Sequence, residues 1–471
     1  MTKPVVAIAG ASGFVGSALI DALTADHPII ALGRSRASDP AELHSTNHVI
    51  WRKCDLFSLL EVEKALLGAD IAIYLVHSMI PSAKLTQGNF VDMDLILADN
   101  FARAAKKAGV RQIIYLTGLI PDENYENLSD HLRSRLEVEQ ALAGHDVPVT
   151  ALRAGLVVGP GGSSFDMMYR LVKRLPVMIL PRWTKTLTHP IALSDVIDLI
   201  TYCLDRNETF GKTYDIGGPD VMTYQDMLAQ TAEALGLKRT FFRVPFLSPK
   251  LSRLWIRLIT GVSFSLISPL IESLKHPMVA QNRELQDQLG QNGVSFIDAV
   301  RDAIEKEYAN PQKQYKKKAP SPEKDVRSVQ RLLLPTGKDA RWVAKFYAQW
   351  LPEFMRPFLH VDVDETGSCS FYLSGIKKPL LILSYSNDRS TRDRTLFYIT
   401  GGILSQTREG HRGRLEFRNV LNNRYVLVAI HDFSPTLPWY LYNATQAIVH
   451  LWVMHQFGKH LTYLDDLVHE K

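Results

Sequence analysis

The sequence predicts an α/β protein, with a parallel sheet covered by helices in the first half of the chain and a separate α+β domain in the second half. Short apolar runs alternate with amphipathic helical segments as far as residue 236, the order that a doubly wound parallel sheet requires. A lysine- and proline-rich stretch over 306–323 ends this pattern, and charged and apolar residues then alternate with a period of two, as in antiparallel strands. A chain of 471 residues is also too long for a single core.

Composition and charge exclude several classes of protein. Hydrophobic residues make up 46% and charged residues 22% of the chain, as in ordinary globular proteins, and a net charge of +5 does not indicate nucleic-acid binding. Cys54, Cys203 and Cys369 lie far apart without a Cys-x-x-Cys pair, which argues for reduced thiols and against a metal site. The sequence shows neither a signal peptide nor an apolar run of about 18 residues. We therefore expect a cytoplasmic protein.

The opening of the chain carries the clearest functional signal. An apolar run over 5–9, typical of a buried strand, leads into the string GASGFVG at residues 10–16 and then into a helical pattern. Gly10 permits a tight turn, Gly13 lets the backbone approach a pyrophosphate, and Gly16 lets the helix pack against the strand. The first N–H groups of the helix and its dipole attract phosphate. The turn therefore predicts a dinucleotide site made of Gly10, Ser12, Gly13, Phe14, Val15 and Gly16.

The spacing Gly-x-x-Gly-x-x-Gly resembles that of the extended and atypical short-chain dehydrogenases/reductases, which include NmrA-like and epimerase-like proteins. The strings LRAGLVVGPGG at 152–162 and YDIGGP at 214–219 extend the resemblance over about half of the chain. It implies a Rossmann-type sheet with a small substrate lobe. Between these two strings, Ser194 or Asp195 is expected to cap a helix over 196–204.

The resemblance also implies roles for residues that follow later strands. Asp55 and Leu56 would lie beside the adenine, His77 beside the nicotinamide ribose, and Thr117 at the end of the fifth strand, where the reducing enzymes have Ser or Thr. Ligands of such sheets bind at the carboxyl ends of the strands. These side chains are therefore expected near the glycine turn.

The end of the second predicted strand bears on the choice of cofactor. Proteins of this kind that prefer NAD place an Asp or Glu here to bind the ribose 2′-hydroxyl. This sequence has Arg34, Ser35 and Arg36 instead, with no acid before Asp39. Two guanidinium groups and a hydroxyl suit a 2′-phosphate, so NADP(H) is favoured over NAD(H). A solvated basic loop is the alternative interpretation.

The catalytic residues of the resembling families are only partly present. Their reducing members carry a Tyr and a Lys four residues apart on the helix after the fifth strand, and this sequence has His131 and Arg135 there. Histidine, with an ordinary pKa of about 6.5, can exchange a proton near neutral pH, and Arg135 can hold a ribose or a phosphate. His131, Arg135 and Thr117 are therefore the catalytic candidates. The alternative interpretation is a solvated helix face on which Arg135 pairs with Glu139.

The patterns divide the chain into four segments. We predict a dinucleotide-binding domain over 1–236, a helical substrate lobe or lid over 237–310, a linker over 311–335 and an α+β domain over 336–471. The last of these should hold antiparallel strands and a long helix over 439–457. That arrangement resembles the helix-grip architecture, which implies a site for an apolar small molecule.

The predicted lobe contains a basic amphipathic segment. Between 238 and 271 there is no acidic residue, and Lys250, Arg253 and Arg257 form a cationic stripe beside an apolar helix face. One interpretation is peripheral contact with the inner membrane surface through 238–271. The other is a lid that packs over the substrate cleft.

Two functions remain open from the sequence. The first is an NADPH-dependent oxidoreductase of unspecified substrate that lacks the Tyr and Lys pair. The second is a non-catalytic, NADPH-dependent redox sensor or assembly factor associated with a membrane surface. The cofactor motifs fit both functions, whereas the replacement by His131 and Arg135 favours the second.

The basic residues after the second strand predict a measurable cofactor preference. If Arg34 and Arg36 both bind the 2′-phosphate through charge-assisted hydrogen bonds, NADPH should bind more tightly than NADH by about 1–3 kcal/mol. Titration of both cofactors against the wild type and Arg34→Ala measures this difference. Equal affinities in the wild type would contradict a 2′-phosphate site.

Overall fold

The computed structural model describes residues 3–34, 48–77, 85–244, 273–290, 292–309, 326–406 and 413–469. Several predicted features lie outside these ranges: Ser35, Arg36, the cationic stripe at 250–257 and most of the predicted linker. The proposed membrane contact through 238–271 therefore stays a prediction.

The secondary structure is numbered here in chain order. The strands are β1 (Val6–Ala9), β2 (Ile29–Gly33), β3 (Val49–Lys53), β4 (Ile71–Tyr74), β5 (Leu85–Gln87), β6 (Gln112–Gly118), β7 (Val149–Ala154), β8 (Val157–Val158), β9 (Val177–Leu180), β10 (Leu187–Thr188), β11 (Ile191–Ala192), β12 (Thr213–Ile216), β13 (Met222–Thr223), β14 (Thr240–Arg243), β15 (Val326–Leu333), β16 (Leu359–Val363), β17 (Cys369–Leu373), β18 (Leu381–Tyr385), β19 (Arg394–Gly401), β20 (Arg414–Val420) and β21 (Tyr425–Phe433). The α-helices are α1 (Phe14–Leu23), α2 (Leu59–Ala65), α3 (Phe90–Ala108), α4 (Asp130–Ala143), α5 (Ser163–Arg174), α6 (Leu193–Cys203), α7 (Tyr224–Ala234), α8 (Glu284–Leu289), α9 (Phe296–Ala309), α10 (Ala340–Phe354), α11 (Trp439–Ala444) and α12 (Gln446–His469).

The first compact unit, Met1–Met79 with Ala98–Lys317, contains the predicted Rossmann-type sheet. Seven parallel strands run in the order β12-β7-β6-β4-β1-β2-β3. Every residue of β1 and β4 is buried, because helices cover both faces of such a sheet and select continuous apolar strands. β1 lies between β2 and β4, so the glycine turn leaves the sheet at the same edge as the residues that follow β4 and β6. The predicted fold class is confirmed.

The substrate lobe of the first unit has its own apolar core. Side chains of α5, α7 and α9 pack together there, among them Phe165, Val172, Met227 and Val300. Three short two-stranded pairings, β8 with β11, β9 with β14 and β10 with β13, complete the lobe. The lobe thus places α5 and α7 above the carboxyl end of the sheet, as the likeness to two-lobed reductases implied.

The predicted cap of α6 is wrong. The helix begins at Leu193 with Ala192 as its N-cap, and no side chain caps it. Asp195 is used elsewhere, because its Oδ2 accepts the Val294 N–H at 2.8 Å and so fastens the chain that enters α9. Burial raises the pKa of Asp195. The Asp195 carboxylate, which the local sequence predicted as a helix cap, instead accepts a hydrogen bond from a residue distant in sequence.

The second compact unit, Ile80–Leu97 with Lys318–Lys471, contains an eight-stranded sheet. Its order is β16-β17-β18-β19-β20-β21-β15-β5, with antiparallel pairing throughout except where β5 joins β15 in parallel. One face of the sheet packs against α10 and α12 through a core that includes Trp350, Phe417 and Phe457. The antiparallel sheet and the long C-terminal helix are confirmed. The predicted apolar ligand of this unit stays a prediction.

The division of the chain differs from the predicted segments. β15 falls inside the stretch predicted as a linker over 311–335, and it pairs with β21 over most of its length. β5 comes from the first half of the sequence, yet it hydrogen-bonds with β15 in the second unit. The local sequence pattern could not predict that β15 pairs with β21 and β5, because the paired strands are separated by about a hundred residues or more.

The C-terminal helical region also differs in detail from the expected helix over 439–457. It is split into α11 and α12, with Thr445 between them at φ −129° and ψ −83°. α12 spans 24 residues. Neither α12 nor any other helix in the described ranges is both long enough and apolar enough to cross a bilayer.

A buried cluster of charged side chains lies on β19, β20 and β21. Glu416 Oε1 accepts hydrogen bonds from Arg394 Nε and Arg418 Nε, each at 2.6 Å, and His431 Nε2 lies 3.3 Å from Glu416 Oε2. Burial alone would raise the pKa of Glu416, but the two guanidinium groups and His431 outweigh it and hold this pKa well below its usual range. The carboxylate is therefore charged in the folded protein at neutral pH.

Replacing this carboxylate should destabilise the second unit. Glu416→Gln leaves two buried guanidinium groups without their counter-charge, which costs about 3–5 kcal/mol of unfolding free energy. Urea unfolding followed by tryptophan fluorescence measures the loss, and Glu365→Gln, at an exposed position, is the control.

The pH dependence of this difference has a definite sign. The folded-state pKa is depressed, so the contribution of Glu416 is present above the ordinary glutamate pKa of about 4.3 and is lost as pH falls toward the folded-state value. The gap between wild type and Glu416→Gln should therefore narrow in acid. A gap that stays constant from pH 7 to pH 3 would contradict the assignment.

Candidate functional site

The glycine turn between β1 and α1 is closed by backbone contacts that only glycine permits. Gly10 adopts φ +87°, and the Gly13 N–H donates to Gly10 O at 2.8 Å. A Cβ at Gly16 would lie 2.3 Å from Gly10 O, closer than any real contact. No side chain caps α1 at Gly13, and its first turn has no acidic residue. The positive end of the helix therefore faces outward without a competing carboxylate, as a phosphate site requires.

One cavity of about 490 Å³ opens beside this turn in the first unit. It is bounded by the glycine turn, by residues that follow β4, by the last residues of β6, by the start of α4, and by the lobe. The predicted site residues that line it are Gly10, Gly13, Phe14, Val15, Gly16, His77, Thr117, His131 and Arg135. Residues from four distant parts of the sequence thus share one space.

Thr117 Oγ1 and Arg135 Nε, in the wall of this cavity, have no hydrogen-bond partner among the described residues, and both are shielded from solvent. An unsatisfied buried polar atom ordinarily costs about 1–3 kcal/mol, so it is rare unless a ligand or water completes it. Both residues share the cavity with the glycine turn and with His77, which the resemblance places beside the nicotinamide ribose. The residues present therefore fit a dinucleotide.

His131 is buried, which excludes the alternative of a solvated helix face for this residue. It is the second residue of α4, whose start is capped by Ser129 Oγ accepting the Leu132 N–H at 3.4 Å. The side chain is 9% exposed, and its ring lies 5.2 Å from the His77 ring, centroid to centroid. The site thus contains two adjacent imidazoles.

Glu139 is also not the partner of Arg135. Both of its carboxylate oxygens accept hydrogen bonds from Arg153, at 2.9 and 3.0 Å. Arg135 remains in the cavity wall. The expected helix-surface ion pair is therefore wrong.

Four predicted cofactor residues do not line this cavity: Ser12, Arg34, Asp55 and Leu56. Ser12 lies exposed in the glycine turn, and Arg34 lies exposed at the end of β2. Asp55 Oδ1 accepts the Phe57 N–H at 3.1 Å, and its own N–H donates to Glu61 Oε2 at 2.9 Å. These two hydrogen bonds close the turn after β3. The placement of Asp55 and Leu56 beside the adenine stays a prediction.

The lobe contributes a second group of cavity residues that the sequence did not reveal. They are mostly apolar: Met167, Met168, Leu171, Trp183, Thr188, Tyr224, Leu228, Leu274 and Met278. Burial raises the pKa of Tyr224 to about 12. No motif marks these positions, since methionines and leucines at helical spacing are typical of ordinary core. Only the folded arrangement distinguishes cavity wall from core.

Residues 10–170 match the family of NAD(P)H-binding domains. Most of the matched residues lie in the first unit. The match begins at the glycine turn and extends into α5, and it includes His77, Thr117, His131 and Arg135. The chain is therefore similar to NAD(P)H-binding proteins over the part that carries the glycine turn and these cavity residues.

Three curated proteins are similar to parts of this chain. Auxiliary protein GraX of Staphylococcus aureus is 34% identical over 128 residues, which are 26% of this chain and 38% of GraX. Ceramide reductase of Caulobacter vibrioides is 27% identical over 254 residues, 52% of this chain and 74% of that protein. A mitochondrial NADH dehydrogenase (ubiquinone) 1 alpha subcomplex subunit 9 of Arabidopsis thaliana is 23% identical over 277 residues, 57% of this chain and 68% of the subunit.

Solved structures share the fold of the first unit. A nucleoside-diphosphate-sugar epimerase of Staphylococcus aureus superposes with a TM-score of 0.51 at 16% identity and covers 63% of this chain and 99% of its own. Triphenylmethane reductase of Citrobacter sp., in complex with NADP(H), superposes with a TM-score of 0.50 at 18% identity, covering 63% and 99%. At such identities the likeness concerns the fold alone.

The turn geometry predicts the effect of one added methyl group. A Cβ at Gly13 would lie 3.0 Å from Gly10 O, at the helix end where the pyrophosphate approaches. Gly13→Ala should therefore weaken NADPH binding about tenfold or more, equivalent to about 1.4 kcal/mol. Quenching of intrinsic fluorescence on titration with NADPH measures the affinity. Gly144→Ala, where the nearest atom would be 3.4 Å away, is the control, and equal affinities for both variants would contradict a phosphate site at this turn.

Proposed function

We propose that the first unit binds NADPH and uses it to reduce an apolar carbonyl or quinone substrate held in the same cavity. One observation carries this proposal: a single space joins the glycine turn, two unsatisfied polar atoms and a largely apolar lobe wall. The first feature suits a dinucleotide, the second its nicotinamide end, and the third a substrate with little charge.

Different residues of this chain would bind different parts of the cofactor. The N–H groups at the start of α1 would hold the pyrophosphate. Arg135 Nε would bind a polar atom of the nicotinamide ribose, and Thr117 Oγ1 would stay available to the substrate, because each lacks another partner among the described residues. Arg34, exposed at the end of β2, would bind the 2′-phosphate together with Ser35 and Arg36. When bound, NADPH supplies a hydride.

The second requirement of a carbonyl reduction is a proton, and His131 is placed to provide it. It lines the cavity at the position where the resembling enzymes have tyrosine. The His77 ring lies 5.2 Å from the His131 ring, centroid to centroid, so a second imidazole stands beside the proposed proton donor. Tyr224 is a poorer donor at neutral pH, because its pKa is raised to about 12 by burial. Thr117 can hydrogen-bond the substrate oxygen and orient it.

The composition of the lobe wall favours a neutral substrate with substantial apolar surface. Methionine and leucine side chains adapt to irregular ligands without a desolvation penalty. The similarity to a ceramide reductase supports a reductase that acts on an apolar molecule, and its identity of 27% leaves the substrate of this chain a proposal.

A second candidate function is NADPH binding without turnover. The absence of the Tyr and Lys pair favours it, and so do the names of two similar proteins, an auxiliary protein and a subunit of a larger complex. In that case the same turn and cavity would bind NADPH, and the redox state of the cofactor would change the affinity for a partner.

Oxidation of NADPH with a panel of long-chain aldehydes, ketones and quinones distinguishes the two functions. An active reductase should lose about 10²-fold or more in kcat on His131→Ala, because positioned proton transfer contributes about that much. Thr117→Val should also lower kcat, since it removes the hydroxyl and keeps the shape. His360→Ala, in the second unit and exposed, is the control.

The outcomes of this experiment are separable. Turnover that His131→Ala leaves unchanged would contradict the histidine mechanism while keeping the reductase. NADPH binding without turnover for every acceptor would favour the sensor or assembly factor.

A further inference from the structure

We infer that Trp183, Thr188 and Tyr224 form a polar subsite in the lobe wall of the cavity, which binds a neutral hydrogen-bonding group of the substrate. The group would be an amide, a ketone or a hydroxyl, distinct from the one that reacts beside Thr117. The inference rests on the proposed function in one respect, because it names the class of substrate that the proposed reductase would take. The subsite itself can be tested without cofactor.

Trp183 supplies the first part of this subsite. It lies in a short 3-10 turn, Arg182–Lys185, and its ring meets the Tyr224 ring edge-on at 6.0 Å. Its Nε1 is shielded from solvent and has no hydrogen-bond partner among the described residues. An indole N–H is a donor only, so it can be satisfied solely by an acceptor that the described side chains and backbone do not offer.

Tyr224 and Thr188 supply the second part. The Thr188 side chain, 1% exposed, lines the cavity beside Tyr224. A phenol has one hydrogen and two lone pairs, so it can bind a ligand group as donor and as acceptor. Because burial raises the pKa of Tyr224 to about 12, the hydroxyl stays neutral and can both donate and accept.

The backbone holds these two side chains in fixed positions. Thr188 belongs to β10, which pairs with β13, and Tyr224 follows directly as the first residue of α7. That helix begins with a capping box, in which the Thr223 hydroxyl accepts the Asp226 N–H and Asp226 accepts the Thr223 N–H. A rigid hydroxyl pair beside an indole N–H is pre-organised for a ligand group with its own donor and acceptor.

The remaining wall on the lobe side restricts the rest of the ligand. It is formed mainly by Met167, Met168, Leu171, Leu228, Leu274 and Met278, together with the uncharged residues Ser163, Ser164 and Ser273. No Lys, Arg, Asp or Glu from the lobe lines the cavity in the described part of the chain. A carboxylate or phosphate would be desolvated there without a counter-charge. The substrate class is therefore an apolar molecule that carries a neutral polar group in addition to its reacting carbonyl.

Two fluorinated probes of similar size test the subsite on the full chain without NADPH. 4-Fluorobenzamide carries the amide, and 4-fluorotoluene replaces it with a methyl group. Fluorine NMR relaxation during titration gives both affinities. Trp183→Phe and Tyr224→Phe should each weaken binding of the amide about tenfold, the effect of one hydrogen bond, while binding of 4-fluorotoluene changes by less than about twofold. Trp51→Phe, on β3 of the same unit, should leave both affinities unchanged.

Thermal unfolding of the free protein separates a binding role from a structural one. Trp183→Phe removes an unsatisfied donor and keeps an aromatic ring, so the unfolding midpoint should stay equal to that of the wild type or rise. A lower midpoint, or equal weakening of both probes, would show that Trp183 only supports the fold. An unchanged amide affinity in Trp183→Phe would show that a buried water satisfies the indole. Either result overturns the subsite.

The same experiment is independent of catalysis. Selective loss of the amide probe with no NADPH oxidation would contradict the proposed reductase and keep the subsite. Turnover with no selectivity between the probes would do the reverse.

Discussion

The absence of a single carbon atom at Gly16 fixes the position of α1 against the sheet. Any side chain there would overlap Gly10 O at 2.3 Å, and the helix would have to move away from β1. The distance between this helix end and the strands beside it sets the width of the cavity. The position of this helix end opposite His77 and Thr117 in the cavity wall therefore depends on this one close approach between backbone atoms.

The two walls of the cavity differ in their physical character. The sheet side carries the positive end of a helix dipole, Arg135 and two adjacent imidazoles, so it favours negative charge. The lobe side is neutral and largely apolar, and it is rich in methionine. A ligand that reaches both walls must be charged or strongly polar at one end and nearly uncharged at the other. A dinucleotide beside an apolar substrate meets this requirement.

The sequence predicted the features that depend on interactions between residues close together in the chain, and it did not predict those that depend on distant residues. β1 and the glycine turn depend on an apolar run and on backbone geometry within a few residues, and β1 (Val6–Ala9) lies within the apolar run predicted over 5–9. The lobe wall of the cavity could not be predicted, because Trp183 and Tyr224 meet only when separate segments pack together. The cap of α6 failed for the same reason, since Asp195 binds a backbone group about a hundred residues later. His131 was found through its position in a motif, and only the fold showed that it is buried.

The pairing of β5 with β15 has a consequence for cutting the chain. Leu85, Thr86 and Gln87 cover the outer edge of Val326, Arg327 and Ser328, although they belong to a part of the sequence that otherwise serves the dinucleotide domain. A fragment that starts at residue 318 would expose this edge, with unpaired N–H and C=O groups able to recruit a strand from another molecule. Transfer of residues 318–471 alone to another protein, in evolution or in the laboratory, would therefore carry a risk of aggregation. The segment Ile80–Leu97, which contains β5, would have to be transferred with them.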